Sequence, residues 1–111
     1  GLLAFLDQAA REGKSVAAYG AAAKGNTLLN FCGVGTDRIA CVVDRNPAKQ
    51  GHFLPGSHLP ILPPETLAET RPDYVLILPW NIREEVMATM GEVREWGGRF
   101  VVAVPELTVL A

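Results

Sequence analysis

No stretch of this chain approaches the ~20 consecutive apolar residues that a membrane-spanning helix needs, because Arg11, Arg38, Arg71 and the prolines interrupt every run. An integral membrane role is therefore not expected. Cysteine is scarce: Cys32 and Cys41 stand nine positions apart, a spacing that fits neither a metal knuckle nor a redox pair. Both read as small buried hydrophobes, and the lack of a disulfide framework points to a cytoplasmic protein. An excess of one charge is also missing, with Lys+Arg 10 against Asp+Glu 12, so nothing favours binding to nucleic acid or to an anionic membrane. The opening Gly1 to Leu6 has no basic leader and soon meets Asp7, Arg11 and Glu12, so no signal peptide is read there. A first residue that is Gly and not Met suggests a piece of a longer protein, which could carry only part of an activity.

What is present suffices for one domain. The chain has 111 residues, 49% of them apolar. Size scaling for that mass gives a folded surface of roughly 6,000 Å² against about 17,000 Å² unfolded. The expectation is a single domain over 1–111, with a leading helix over 1–13 and a core over 14–111.

Leu2, Leu3, Phe5, Leu6, Ala9 and Ala10 recur at helical spacing before Gly13 stops them. Ser15 to Tyr19 predicts a strand, Gly20 a turn, and Ala22 to Cys32 a helix ended by Gly33. Ile39 to Val43 is a continuous apolar run, as in a parallel strand covered on both faces. From Arg45 to Pro64 prolines and glycines exclude a long helix, leaving a stiff loop with a very short strand at Leu59 to Ile61 and a short helix entered at Pro63 to Leu67. Asp73 to Leu78 is the clearest strand. Asn81 and Glu84 suggest a capping box for a helix with Ile82, Val86, Met87, Met90, Val93 and Trp96 on one face. Arg99 to Val104 is the last strong strand, and Leu107 to Leu110 an edge strand or packed tail. The alternation predicts an α/β fold, a Rossmann-like parallel sheet of about four main strands flanked by helices.

The candidate chemistry begins at Gly20-Ala21-Ala22-Ala23-Lys24-Gly25. A dinucleotide fingerprint wants a third glycine where Ala22 stands, so the match is partial. Two readings stay open: a loop whose helix-terminal amides receive a phosphate, with Lys24 as counter-charge, or a tight turn in which Gly20 relieves crowding and Gly25 lets the helix pack. Asp44 and Arg45, at the end of the second strand, could face ribose hydroxyls, or could close an ordinary turn with Asn46 and Pro47. Between Gly20 and Pro60 four Lys or Arg (Lys24, Arg38, Arg45, Lys49) meet two Asp (Asp37, Asp44), a local excess that suits a diphosphate and is too small for a polynucleotide. His52 and His58 have no carboxylate or cysteine at a spacing that completes a metal site, so they read as structural or surface residues, with substrate hydrogen bonding as the functional alternative. Trp80 could stack on a base or sugar, dock another domain or cover Met87 and Trp96, while Asn81 could cap a helix or touch ligand. No nucleophile elbow, P-loop or paired carboxylates are found, so no catalytic residue is expected.

Three separated segments, YGAAAKGNTLLNFCG at Tyr19 to Gly33, VVDRNPAKQGHFLPGSHLPILPPE at Val42 to Glu65 and DYVLILPWNIREEV at Asp73 to Val86, together resemble the C-terminal domain of S-adenosylmethionine-dependent sugar-nucleotide C-methyltransferases. The resemblance implies a nucleoside-diphosphate deoxyketosugar as substrate and an upstream domain of the same chain that holds S-adenosylmethionine. It also implies zinc ligands and catalytic groups in parts further upstream, so neither cofactor nor metal is expected in this segment. Substrate enclosure is what could carry over, through Gly20, Lys24, Gly25, Asn26, Asp44, Arg45, His58, Trp80 and Asn81. A docking or dimerisation module, and an independent NAD- or CoA-type domain, stand as alternatives, and the oligomeric state stays open.

Overall fold

The computed structural model describes residues 1–110. Helix α1 (Leu2–Arg11) leads into strand β1 (Val16–Tyr19), followed by α2 (Ala23–Phe31), β2 (Val42–Val43) and β3 (Ile61–Leu62). Then come α3 (Thr66–Thr70), β4 (Tyr74–Ile77), α4 (Arg83–Thr89), β5 (Arg99–Val102) and β6 (Thr108–Leu110). The six strands lie in the order β3-β2-β1-β4-β5-β6. The first five are parallel and β6 runs antiparallel to β5.

This is the anticipated Rossmann-like sheet, extended by short strands. The four main strands are β1, β2, β4 and β5; β3 and the antiparallel β6 complete the edges. From β1 the chain first builds outward through β2 and β3, then returns to the other side of β1 with β4. Alternate residues of β1 show how the layers form, since strand side chains point to opposite faces. Val16 and Ala18 join Leu2, Leu6 and Ala9 of α1 and Leu29 of α2 in one apolar cluster. Ala17 and Tyr19 join Leu67 of α3 and Val86 of α4 in another. Burial of all four β1 residues follows from helices on both faces.

Several local expectations are corrected. The run from Ile39 counts as paired strand only at Val42–Val43, although Ala40 N–H donates to Val16 O at 3.0 Å and Ala18 N–H to Cys41 O at 2.9 Å. Asn81 caps no helix: it sits inside a 3-10 turn over Trp80–Ile82, and Ile82 occupies the cap position of α4 without a side-chain bond. The long helix expected through Trp96 breaks after Thr89 and continues as a 3-10 segment over Gly91–Trp96. Gly91 stands at the break, where its weak helix propensity lets the tighter winding take over. The proline loop folds as a hairpin outside β3. Ile61 N–H donates to His52 O at 2.8 Å, Leu54 N–H donates to Leu59 O at 2.9 Å, and Phe53 bridges Pro60 in antiparallel sense. Leu54 and Leu59 are thereby buried. No helix among the described residues is long and apolar enough to cross a membrane.

Candidate functional site

Because β1, β2 and β4 are mutually parallel, their carboxyl ends lie at one edge of the sheet. That brings together the Gly20 turn, the loop starting at Asp44 and the segment from Pro79 to Asn81. The reversal of strand order falls between β1 and β4, the place where ligands bind in open α/β sheets.

Gly20 adopts φ +92°, and a Cβ there would lie 2.5 Å from Pro79 Cδ. The residue is therefore glycine for two independent reasons, backbone conformation and the closeness of the proline ring. Its N–H donates to Val43 O at 2.8 Å, and Leu78 N–H donates to Tyr19 O at 3.0 Å. The turn is thus tied to both neighbouring strands. Gly25, one turn into α2, is buried, and a Cβ on it would lie 2.5 Å from Leu78 Cβ. It sets the close approach of α2 to the sheet.

Asp44 carries the densest polar contacts. Ala21 N–H donates to its Oδ2 and Asn46 N–H to its Oδ1, each at 2.8 Å. Lys49 Nζ donates to Ala21 O at 3.0 Å and lies 4.0 Å from Asp44 Oδ2, a carboxylate side chain only 14% exposed. Gln50 Nε2 donates to Asp44 O at 2.8 Å. Lys49 and Gln50 were legible only as members of a basic, polar loop; nothing in the spacing announced that Lys49 reaches back to the glycine turn and Gln50 to the Asp44 backbone.

The remaining candidates separate into distinct places. Ala22, Ala23 and Lys24, at the start of α2, face Leu78, Pro79, Trp80 and Asn81 across a largely apolar notch of about 150 Å³. Arg45 lines a different cavity of about 340 Å³, shared with Gln50, Glu65, Met90 and Glu92. Beside Arg45, the Tyr19 hydroxyl is pushed up from its usual pKa chiefly by burial; Arg45, which hydrogen-bonds it, pulls the other way. Asn26 is half-buried, and its side-chain oxygen is enclosed without a hydrogen-bond partner. His58 does not join the others. It is exposed, at φ 60°, in the tip of the hairpin. That tip packs beside Asn30, whose Nδ2 donates to Pro55 O at 3.1 Å, near the carboxyl end of α2 and hence at the opposite edge of the sheet.

Among the described residues no group of three or more His, Cys, Asp or Glu comes together to hold a metal ion. Cys32 and Cys41 are both free thiols.

A doubly wound α/β sheet with its loops gathered at the switch point defines a Rossmann-like domain. The crystal structure of UDP-D-quinovosamine 4-dehydrogenase from Vibrio fischeri has this fold. It superposes with a TM-score of 0.62 at 13% identity, covering 88% of this chain and 93% of that one. The particular family follows from sequence: residues 1–105 match the C-methyltransferase C-terminal domain, and the chain belongs to that family. It is 46% identical over 100 residues to the C-methyltransferase NovU of Streptomyces niveus. That alignment takes in 90% of this chain and 24% of NovU, so the chain spans about a quarter of its relative's length.

Proposed function

We propose that this domain helps bind and enclose a nucleoside-diphosphate deoxyketosugar for an S-adenosylmethionine-dependent C-methyltransferase. The observation that carries the reading is the notch of about 150 Å³ at the switch point, whose lining includes both Lys24 and Trp80. A ring-sized, mostly apolar recess beside a cation suits a base or sugar on the tryptophan face and a phosphate near the ammonium. The dehydrogenase that shares the fold is named for a UDP-sugar, and NovU for C-methyl transfer. Both fit this substrate class.

The segment supplies position and not acid-base chemistry. A methyl transfer from a sulfonium needs the carbanion-like carbon, the methyl and the sulfur in line with water kept out. The methyl donor is assigned to another part of the full-length enzyme, since Asp44, the carboxylate that ends β2, is already bonded to two backbone amides. Within the site, Lys24, Trp80 and Asn81 face the substrate, while Gly20, Gly25 and Asp44 shape the walls.

Titration of the folded chain with UDP-glucose, NAD and S-adenosylmethionine, followed by tryptophan fluorescence and calorimetry, tests this. Saturable binding is expected for the sugar nucleotide alone, and Lys24→Ala is expected to weaken it about tenfold while leaving the fold unchanged. Unchanged affinity in Lys24→Ala removes Lys24 from the site; no binding of any sugar nucleotide by the chain or by the full-length enzyme containing it overturns the enclosure reading.

A docking role has an observation of its own. Phe31, at the end of α2, is 89% exposed and Phe53, within the hairpin, 63%, at the edge opposite the notch. Sedimentation of the chain and of Phe31→Ser distinguishes this reading, which expects concentration-dependent association in the first and not in the second.

A further inference from the structure

The Gly20 turn resembles a dinucleotide turn in sequence and departs from one in its bonding. A dinucleotide site offers free amides to the diphosphate and a free carboxylate, at the end of the second strand, to the ribose hydroxyls. Here those two halves are bonded to each other. Ala21 N–H donates to Asp44 Oδ2 at 2.8 Å, and the other carboxylate oxygen takes the Asn46 N–H at the same distance. Ala22 N–H is turned inward to Gly20 O at 2.9 Å. Lys49 Nζ closes the outer side on Ala21 O at 3.0 Å. The Pro79 ring stands against Gly20, so the approach to the turn itself from the β4 side is occupied by the chain, and the open notch lies beyond it, toward Lys24 and Trp80.

A ribose entering this turn would have to displace charge-assisted bonds from two backbone amides. It would return only neutral hydroxyl donors, which bond a carboxylate no better. We infer that Asp44 is a positioning residue: with Lys49 it latches the Gly20–Ala22 turn shut against dinucleotides and holds the first turn of α2 where Lys24 faces Trp80. The same carboxylate that would select NAD in an open turn excludes it in a closed one. This deepens the enclosure reading by fixing which ligands the edge rejects, and only its bearing on the notch rests on that reading.

Amide hydrogen exchange on the chain, read residue by residue by NMR, tests the latch without any ligand. In Asp44→Ala the Ala21 and Asn46 amides are expected to exchange about tenfold faster or more, as for a lost bond to a charged acceptor. Val75 and Leu76 in β4 should keep their protection, a pattern that general destabilisation does not produce. Asp44→Asn, nearly isosteric, keeps one accepting oxygen, so should the alanine variant not fold, at least one of the Ala21 and Asn46 amides is expected to lose protection in it. NAD added to the wild-type chain is expected to give no saturable shift at Gly20, Ala21 or Ala22. Equal exchange of the Ala21 amide in wild type and variant, or saturable NAD binding at the turn, overturns the inference. A chain whose turn is latched but which takes no UDP-glucose counts against the enclosure reading alone.

Discussion

Two glycines five positions apart face the same strand end, yet they constrain the molecule through different physics. Gly20 needs its φ of +92° and also the space that Pro79 occupies, whereas Gly25 is not in the left-handed region and is required only by the closeness of Leu78, itself 1% exposed. Gly20→Val therefore combines left-handed strain with a clash against a rigid ring, and about 3–5 kcal/mol of destabilisation is expected. Gly25→Ala meets only the clash. It should cost about 1–3 kcal/mol, as small-to-large changes in packed interiors do. Urea midpoints read both values, and Gly33→Ala serves as the contrast: φ there is +68° with nothing within 4 Å, so about 1 kcal/mol of conformational cost stands alone. An equal loss at all three positions would show that the proline and leucine contacts do not matter.

At the scale of elements, the strands and the first helix were legible in the sequence because their signals are local. The helical spacing of apolar residues on α1 and the DYVLIL run at β4 specify burial without knowledge of partners, and the observed bounds of these two fall within a residue or two, whereas the run from Ile39 pairs only at its end. What escaped depends on backbone bonding and strand pairing that the spacing of residue types does not encode. Asn81 looks like a helix cap by spacing, but the Ile82 N–H bond to Pro79 O at 3.0 Å winds that stretch into a 3-10 turn first. The candidate site divides along the same line. Gly20, Asp44 and Trp80 could be placed at one edge from strand polarity alone, while the hairpin that carries His58 to the far edge is a pairing choice made by the fold. The break between α4 and the 3-10 segment, by contrast, has a local cause that can be tested. Gly91 has ordinary backbone angles and open surroundings, its nearest foreign atom an Arg94 nitrogen at 3.9 Å from an added Cβ. Gly91→Ala is expected to stabilise the chain by about 0.5–1 kcal/mol by restricting the unfolded state. A thermal melt that moves down in place of up would mean that the 3-10 winding requires glycine there.

Across the whole molecule, the sheet separates two apolar layers, each covered by the helices packed on it. The chain's Cα radius of gyration is 12.4 Å, against about 13 Å for a self-contained domain of this length. The exposed surface of 6000 Å² matches what its mass implies. That closure has an electrostatic consequence on the layer beneath α3 and α4, where Tyr19 and Cys41 both sit. Burial raises the Tyr19 hydroxyl above its ordinary 10.0 and the Cys41 thiol above its ordinary 9.0, because each would have to ionise out of water. For an acid whose folded pKa exceeds its unfolded one, the unfolded chain releases the proton first. The stability contributed by keeping each group neutral is thus complete below the unfolded pKa and falls as pH rises through that value towards the folded one. Denaturant midpoints should accordingly show no pH dependence from these two groups around neutral pH and decline above about pH 9, the thiol acting first. Cys41→Ala removes the earlier part of the decline at the expense of a small cavity, leaving the part due to Tyr19. The same burial predicts that iodoacetamide at neutral pH modifies half-buried Cys32 well before Cys41. Alkylation of Cys41 at an equal rate would mean that the layer under α3 and α4 opens far more readily than its packing implies.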